Sequence, residues 1–65
     1  MTQLFITEHM RAAGIDDARM ADEVGIHRIT MLRMRHRPER LRVEQLEAIA
    51  EALGMADWRE LTLAP

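Results

Sequence analysis

Residues 20–26, MADEVGI, decide how this chain folds. Ala21 stands four residues before Gly25, and Ile26 follows the glycine directly. The small side chain of Ala21 lets two helices approach closely, and glycine at position 25 can adopt the left-handed backbone of a tight turn. The segment therefore predicts two short helices that cross next to a turn at Gly25, which is the geometry of a helix-turn-helix.

Signals on both sides extend this pair into an all-helical chain. Gly14 is typical of a helix C-cap, and Asp16 is typical of the N-cap that opens the second helix. Pro38 ends the third helix, because proline cannot continue the hydrogen-bond ladder and biases Arg37 away from helical angles. We expect the third helix over roughly His27–Arg35, followed by a loop.

The most regular apolar spacing follows that loop and predicts a fourth helix closed by Gly54. A short fifth helix is expected over Ala56–Leu61. The chain should then form one compact all-α domain of five helices over residues 1–65. The predicted core positions of the second, third and fourth helices are Met20, Ala21, Val24, Met31, Met34, Val43, Leu46, Ile49, Ala50 and Leu53.

The composition excludes several classes of protein. With 65 residues and no cysteine, the chain lacks room for a second lobe, a disulfide framework and a thiolate metal site. Because it has no serine and no tyrosine, and no paired carboxylates at a predicted cleft, we expect no enzyme. His9, His27 and His36 lie on different segments, which argues against a metal site. We expect no cofactor and no small-molecule ligand.

The first residues of the sequence bear on where in the cell the protein is found. Residues 1–14 contain no basic leader, and their longest apolar run is Leu4-Phe5-Ile6. This run is too short for a secretory signal or a membrane span. We therefore expect a cytoplasmic protein without a membrane partner.

Positive charge is concentrated in one part of the chain. The formal net charge is -2, which by itself argues against a nucleic-acid partner. Between His27 and Arg42, however, six arginines stand against a single acid, Glu39. In isolation such a segment could be a solvated basic loop, so its position in the fold must decide.

Taken together, these residues resemble the Cro and phage-repressor family of helix-turn-helix proteins, also called the xenobiotic-response-element family. Gly14-Ile15-Asp16 stands where the family has a glycine, an aliphatic residue and a helix-capping residue, and residues 20–26 match its second helix and turn. Residues 43–54, VEQLEAIAEALG, are similar to its fourth helix without a gap. The resemblance covers nearly the whole chain and implies a lambda-repressor-like fold whose third helix enters the major groove of DNA.

The chain departs from the family at positions that bear on DNA binding. Asp17 occupies a position where the family usually has a glutamine near a phosphate, so we expect that contact to be lost or replaced, for instance by Arg19. His27 and Arg42 replace small hydroxyl caps, and Arg37 replaces a glycine. Each of these three substitutions replaces a residue that favours a helix end by one that attracts phosphate. A neutral substitution without functional effect explains each one equally well.

The third helix offers one exposed face for contact with bases. At about 100° per residue, Met31 and Met34 point inward, which leaves the opposite side in solvent. Arginine can form bidentate bonds to guanine, and aliphatic side chains can pack on thymine methyl groups. The predicted base-contacting residues are Arg28, Ile29, Leu32, Arg33 and His36. The predicted phosphate-contacting residues are Arg19, His27, Arg35, Arg37, Arg40 and Arg42.

These features predict a sequence-specific transcriptional regulator, a repressor of bacterial or phage type that binds an operator on double-stranded DNA. The alternative is a protein-interaction module, such as an antitoxin-like or antirepressor subunit, which would use the exposed third-helix face or the C-terminal segment. Exposed Ile29 and Leu32 would suit a protein partner, whereas the surrounding arginines favour DNA.

A homodimer is expected because one short helix contacts few base pairs, whereas a two-fold dimer contacts two half-sites about 34 Å apart. A core this small would also gain stability from further burial. The predicted interface consists of Met55, Trp58, Leu61 and Leu63 in the last segment. Alternatively, Trp58 fills the core beneath the first and fourth helices.

Overall fold

A computed structural model describes residues 3–65 of the chain. It contains four α-helices, named α1 (Ile6–Ala13), α2 (Asp17–Val24), α3 (Arg28–His36) and α4 (Val43–Ala52), and two short 3₁₀ helices, at Pro38–Arg40 and Trp58–Thr62. Residues 3–65 contain no strand and no helix long and apolar enough to cross a membrane. The prediction of an all-α fold is confirmed. Met1 and Thr2, which belong to the domain predicted over 1–65, lie outside the described residues.

The prediction of five α-helices is wrong, because the segment Ala56–Leu61 contributes to the 3₁₀ helix Trp58–Thr62 instead. Asp57 opens this helix by accepting a hydrogen bond from the Arg59 N–H at 2.9 Å. The Glu60 carboxylate accepts from the Asp57 N–H at 3.1 Å. The side chains of Asp57 and Glu60 thus cap the first turn. This short segment forms a 3₁₀ helix, in which each N–H bonds to the carbonyl three residues earlier.

The ends of α2 lie where the sequence predicted them. The Asp16 carboxylate accepts a hydrogen bond from the Arg19 N–H at 2.8 Å and caps the helix. Gly25 follows the last residue of α2 with φ of 81°, and its N–H donates to the Ala21 carbonyl at 2.8 Å. Because only glycine adopts this φ without strain, the turn between α2 and α3 depends on Gly25.

The core is apolar and takes side chains from all four α-helices. The buried residues are Ile6, Met10, Ile15, Met20, Ala21, Met31, Met34, Leu46, Ile49, Ala50 and Leu61. The predicted core positions agree, except that Val24 and Leu53 are only partly buried against the core and Val43 is wrong. Val43 is 52% exposed because it is the first residue of α4 and lies beyond the end of the buried stripe.

The C-terminal segment closes on α1 and the residue before it. The Phe5 N–H donates to the Leu61 carbonyl at 2.7 Å, and His9 donates from Nε2 to the Leu63 carbonyl at 2.6 Å. The predicted place of Leu61 in a dimer interface is wrong, because its side chain is fully buried in the core of the single chain. Trp58 is partly buried against the same core, in agreement with the alternative interpretation of this residue.

Candidate nucleic-acid interface

α3 packs on the core through one side and exposes the other. Met31 and Met34 are buried on the inner side. His27 caps the start of the helix: its Nδ1 accepts a hydrogen bond from the Ile29 N–H at 3.2 Å, which requires that Nδ1 carry no proton. The residues predicted to contact bases are all exposed, namely Arg28, Ile29, Leu32, Arg33 and His36. Their spacing places them on one side of the helix, so the structure brings them together on an accessible surface, hereafter the α3 face.

The α3 face combines apolar and basic side chains. Ile29 is 46% exposed and Leu32 is 38% exposed. Arg28 and Arg33 adjoin them in sequence and are exposed as well. Such a surface can donate hydrogen bonds and pack against methyl groups at the same time.

Uncompensated positive charge lies on the α3 face and beside it. In α3 and the segment that follows it, four exposed arginines have no ion-pair partner among residues 3–65: Arg28, Arg33, Arg37 and Arg40. An open cleft of about 360 Å³ lies between α3, the turn after it and α4. It is lined by Arg33, Met34, Arg37, Arg40, Leu41 and Gln45. Three guanidinium groups around one cleft create a local field that attracts phosphate, although the chain as a whole is acidic.

Two other predicted phosphate contacts are exposed but loosely paired. Arg19 lies 3.7 Å from Glu23, and Arg42 lies 3.5 Å from Glu44. Ion pairs this exposed are weak, so a phosphate can compete for either arginine. Arg42 stands at the N-cap of α4, where its guanidinium cannot accept a hydrogen bond, and the Gln45 side chain instead accepts from the Arg42 N–H at 2.9 Å.

Arg35, also predicted to contact phosphate, is placed differently from the other arginines of α3. Its guanidinium donates from Nε and Nη2 to the two carboxylate oxygens of Asp17, at 2.6 and 2.9 Å. Nη1 donates to the Thr7 hydroxyl at 3.3 Å. The side chains of Arg35 and Asp17 are only 20% and 21% exposed. The structure therefore does not bring Arg35 to the exposed basic surface formed by its neighbours.

The electrostatics of this pair follow from its geometry. The hydrogen bond from Arg35 lowers the pKa of the Asp17 carboxyl, against partial desolvation, and electrostatic interactions with Arg35, His36 and Arg28 lower it further. The same hydrogen bond raises the pKa of Arg35. Both groups are thus firmly charged near neutral pH.

Local sequence patterns do not predict the role of Asp17, because its partner lies 18 residues away. At this position they predict only the loss of a phosphate contact. A usable signal exists: an acid at the start of the second helix and a base at the end of the third occupy the two ends that a helix-turn-helix brings together.

The residues predicted to form a dimer interface are divided by the structure. Leu61 belongs to the core, whereas Leu63 is 66% exposed. Met55 and Trp58 are partly buried and line an open groove of about 440 Å³ beside α4. The Arg59 guanidinium lies 6.0 Å from the centre of the Trp58 ring. Three of the four residues thus keep surface that a partner could contact.

Two of the three histidines make structural hydrogen bonds, and the third is exposed. His9 bonds to the Leu63 carbonyl, His27 caps α3, and His36 is exposed at the end of α3. Within residues 3–65, no three side chains of the types that bind metal ions lie together.

Comparison with known proteins agrees with this geometry. The family model of the Cro/C1-type HTH DNA-binding domain matches residues 6–56, which include α1, the α2–α3 pair and α4. The chain matches no curated protein and no solved structure. Since the family match covers most of the chain and includes the complete α2–α3 pair, the protein belongs to the Cro/C1-type helix-turn-helix DNA-binding domain family.

Proposed function

We propose that the protein is a sequence-specific transcriptional regulator that binds operator DNA by placing α3 in the major groove. The observation that carries the proposal is the α3 face, where Ile29 and Leu32 are exposed beside two arginines without ion pairs in residues 3–65. The major groove offers guanine acceptors and thymine methyl groups, and this combination of side chains suits both. A repressor of bacterial or phage type, which acts by occupying its operator, is the simplest regulator of this kind.

The exposed residues divide into two proposed roles. Those of the α3 face contact bases, with Arg28 and Arg33 as bidentate donors to guanine. Basic residues outside the α3 face contact phosphates, which fixes the position of the protein without specifying sequence. The proposed phosphate contacts are Arg19, His27, Arg37, Arg40 and Arg42.

We further propose that the protein binds as a homodimer. Two copies of α3 would then enter successive major grooves about 34 Å apart, which doubles the number of bases contacted. The proposed contact surface consists of Met55, Trp58 and Leu63, which lie outside α3 and keep exposed surface. DNA contact and self-association therefore use different elements of the molecule.

Selection of bound duplexes from a random pool, followed by affinity measurements on the selected sequence, tests base contact. Arg33→Ala should weaken binding to that sequence by about 1–3 kcal/mol and relax preference at one base position. Arg40→Ala should weaken binding to all duplexes alike. Arg11→Ala removes the same charge from an exposed position on α1 and should leave base preference unchanged.

Two outcomes would contradict this proposal. A pool without any enriched sequence would remove sequence-specific binding altogether. An Arg33→Ala variant that binds the selected duplex as tightly as the wild type, at the same salt concentration, would remove Arg33 from base contact.

A protein partner is the second candidate, favoured by the 46% and 38% exposure of Ile29 and Leu32. An aliphatic docking surface of this kind would serve an antitoxin-like or antirepressor subunit. Salt separates the two candidates, since DNA binding weakens steeply as salt rises whereas contact through aliphatic side chains does not.

A further inference from the structure

The ion pair of Asp17 with Arg35 joins the helices of the helix-turn-helix at the ends opposite their turn. Asp17 is the first residue of α2, Arg35 lies in the last turn of α3, and the turn at Gly25 connects the other two ends. We propose that Asp17 withholds the Arg35 guanidinium from DNA and so limits the affinity of the domain for duplexes of any sequence. The inference rests on the proposed function, because it concerns how strongly the surface around α3 binds DNA.

The contacts of Arg35 are those of a fixed group rather than of a mobile surface side chain. Two of its nitrogens meet both oxygens of Asp17, and a third meets the Thr7 hydroxyl of α1. A fork of two parallel bonds to one carboxylate sets both distance and orientation. Because α1 and α2 both hold the guanidinium, it cannot turn toward a partner of α3 unless these bonds break.

The neighbours of Arg35 indicate what its release would do. Arg33 and Arg37 are exposed and have no ion pair within residues 3–65. A released Arg35 would add one more mobile positive charge to this end of α3. Phosphates are the same in every sequence, so such a contact strengthens binding to all duplexes equally. Asp17 would thus limit the affinity for DNA of every sequence, while the ratio of specific to non-specific binding would stay the same.

Asp17→Asn tests the proposal, because it removes the negative charge and keeps the size of the side chain. Affinity is measured over a salt series for the selected duplex and for a random-sequence duplex of equal length. One additional phosphate contact makes the slope of log affinity against log salt steeper by about 0.9, which amounts to about eightfold more affinity at 0.1 M salt, taking 1 M salt as the reference. We expect the selected and the random duplex to gain affinity alike, up to this limit, so that the ratio of their affinities stays unchanged.

Two further variants isolate the guanidinium as the cause. Asp22→Asn removes the same charge from an exposed position of α2 that has no ion pair in residues 3–65, so it reports the effect of net charge alone. Its slope and its two affinities should stay close to those of the wild type. The double variant Asp17→Asn with Arg35→Gln removes the released charge, and its slope should return to the wild-type value.

Nuclear magnetic resonance of the Arg35 Nε–H in the wild type gives a test that needs no variant. The signal should be protected from solvent exchange in the free protein and should keep its chemical shift when the selected duplex binds. A shift to a phosphate-bound position would overturn the proposal. So would a folded Asp17→Asn variant with wild-type slope, even if its stability is reduced. If instead the proposed function is wrong, the wild type itself will bind selected and random duplexes equally.

Discussion

α3 and α4 have similar lengths, 9 and 10 residues, but they use their apolar side chains in opposite ways. α4 buries Leu46, Ile49 and Ala50 and exposes only its first apolar residue. α3 leaves two large aliphatic side chains, Ile29 and Leu32, in solvent. Burial stabilises a fold, whereas exposed apolar surface beside charge is available to a partner. The difference teaches that α4 gives its large apolar side chains, apart from Val43, to the core, whereas α3 buries Met31 and Met34 and also keeps apolar surface available to a partner.

The largest effect should come from a charge placed in that core. Leu61→Glu buries a carboxylate at a fully buried position and should destabilise the domain by about 4 kcal/mol or more, enough to unfold it. The exposed Leu63 is the control, and Leu63→Glu should stay folded while weakening self-association. Circular dichroism and sedimentation equilibrium measure the two effects. A folded Leu61→Glu protein would show that Leu61 is not part of the core.

The second prediction compares α3 and α4 directly. Ile49→Ala on α4 should cost about 2–5 kcal/mol of unfolding free energy, because Ile49 is fully buried and leaves a cavity. Leu32→Ala on α3 should cost less than about 1 kcal/mol, since the side chain is already 38% exposed, yet it should weaken DNA binding. Urea unfolding and binding to the selected duplex give both numbers. Equal losses of stability would contradict the division between α3 and α4.

A smaller effect is expected at the turn that positions α3. Gly25→Ala should cost about 1–2 kcal/mol, because alanine is strained at φ of 81°. A Cβ at this position would meet no atom within 4 Å, so backbone strain is the whole cost. Gly14→Ala has the same kind of geometry at the end of α1 and should lose similar stability. A loss of DNA affinity per folded molecule should appear only for Gly25→Ala.

The smallest effect is the response of the Asp17–Arg35 pair to acid. The pKa of Asp17 is lower in the folded chain than its ordinary value of 3.8, so the pair stabilises the fold above that pH. This contribution, about 1 kcal/mol for a pair that is not fully buried, is lost as the pH falls from 3.8 through the lowered pKa. Thermal unfolding across that range should show a smaller loss for Asp17→Asn than for the wild type. Equal losses would mean that the pair does not contribute.

The sequence predicted what is decided within one helical turn. Gly14, Asp16 and Gly25 act on hydrogen bonds to residues at most five positions away, so their effects could be inferred without a structure. The spacing of Met31 and Met34 likewise identified the inner side of α3, and with it the exposed α3 face. These predictions needed only the chemistry of neighbouring residues.

Predictions from the sequence fail where contacts between distant parts of the chain determine the structure. Leu61 is buried because the end of the chain packs back on the residues before α1, and Asp17 pairs with Arg35 across the α2–α3 pair. Helical spacing placed Val43 in the core, but it does not tell where along a helix the core ends. Burial at an element's end and long-range ion pairs therefore required the three-dimensional structure.

The hydrogen bond from the Phe5 N–H to the Leu61 carbonyl has a consequence for the order of folding. It joins the two ends of nearly the whole chain, and closing so large a loop loses more conformational entropy than forming a helix from neighbouring residues. We therefore expect this contact to form late in folding and, because it lies near the chain ends, to open more readily than the helices of the core. When this hydrogen bond breaks and the C-terminal segment detaches, Leu61 leaves the core. The exchange rate of the Phe5 amide should therefore report how often the C-terminal segment detaches and Leu61 leaves the core.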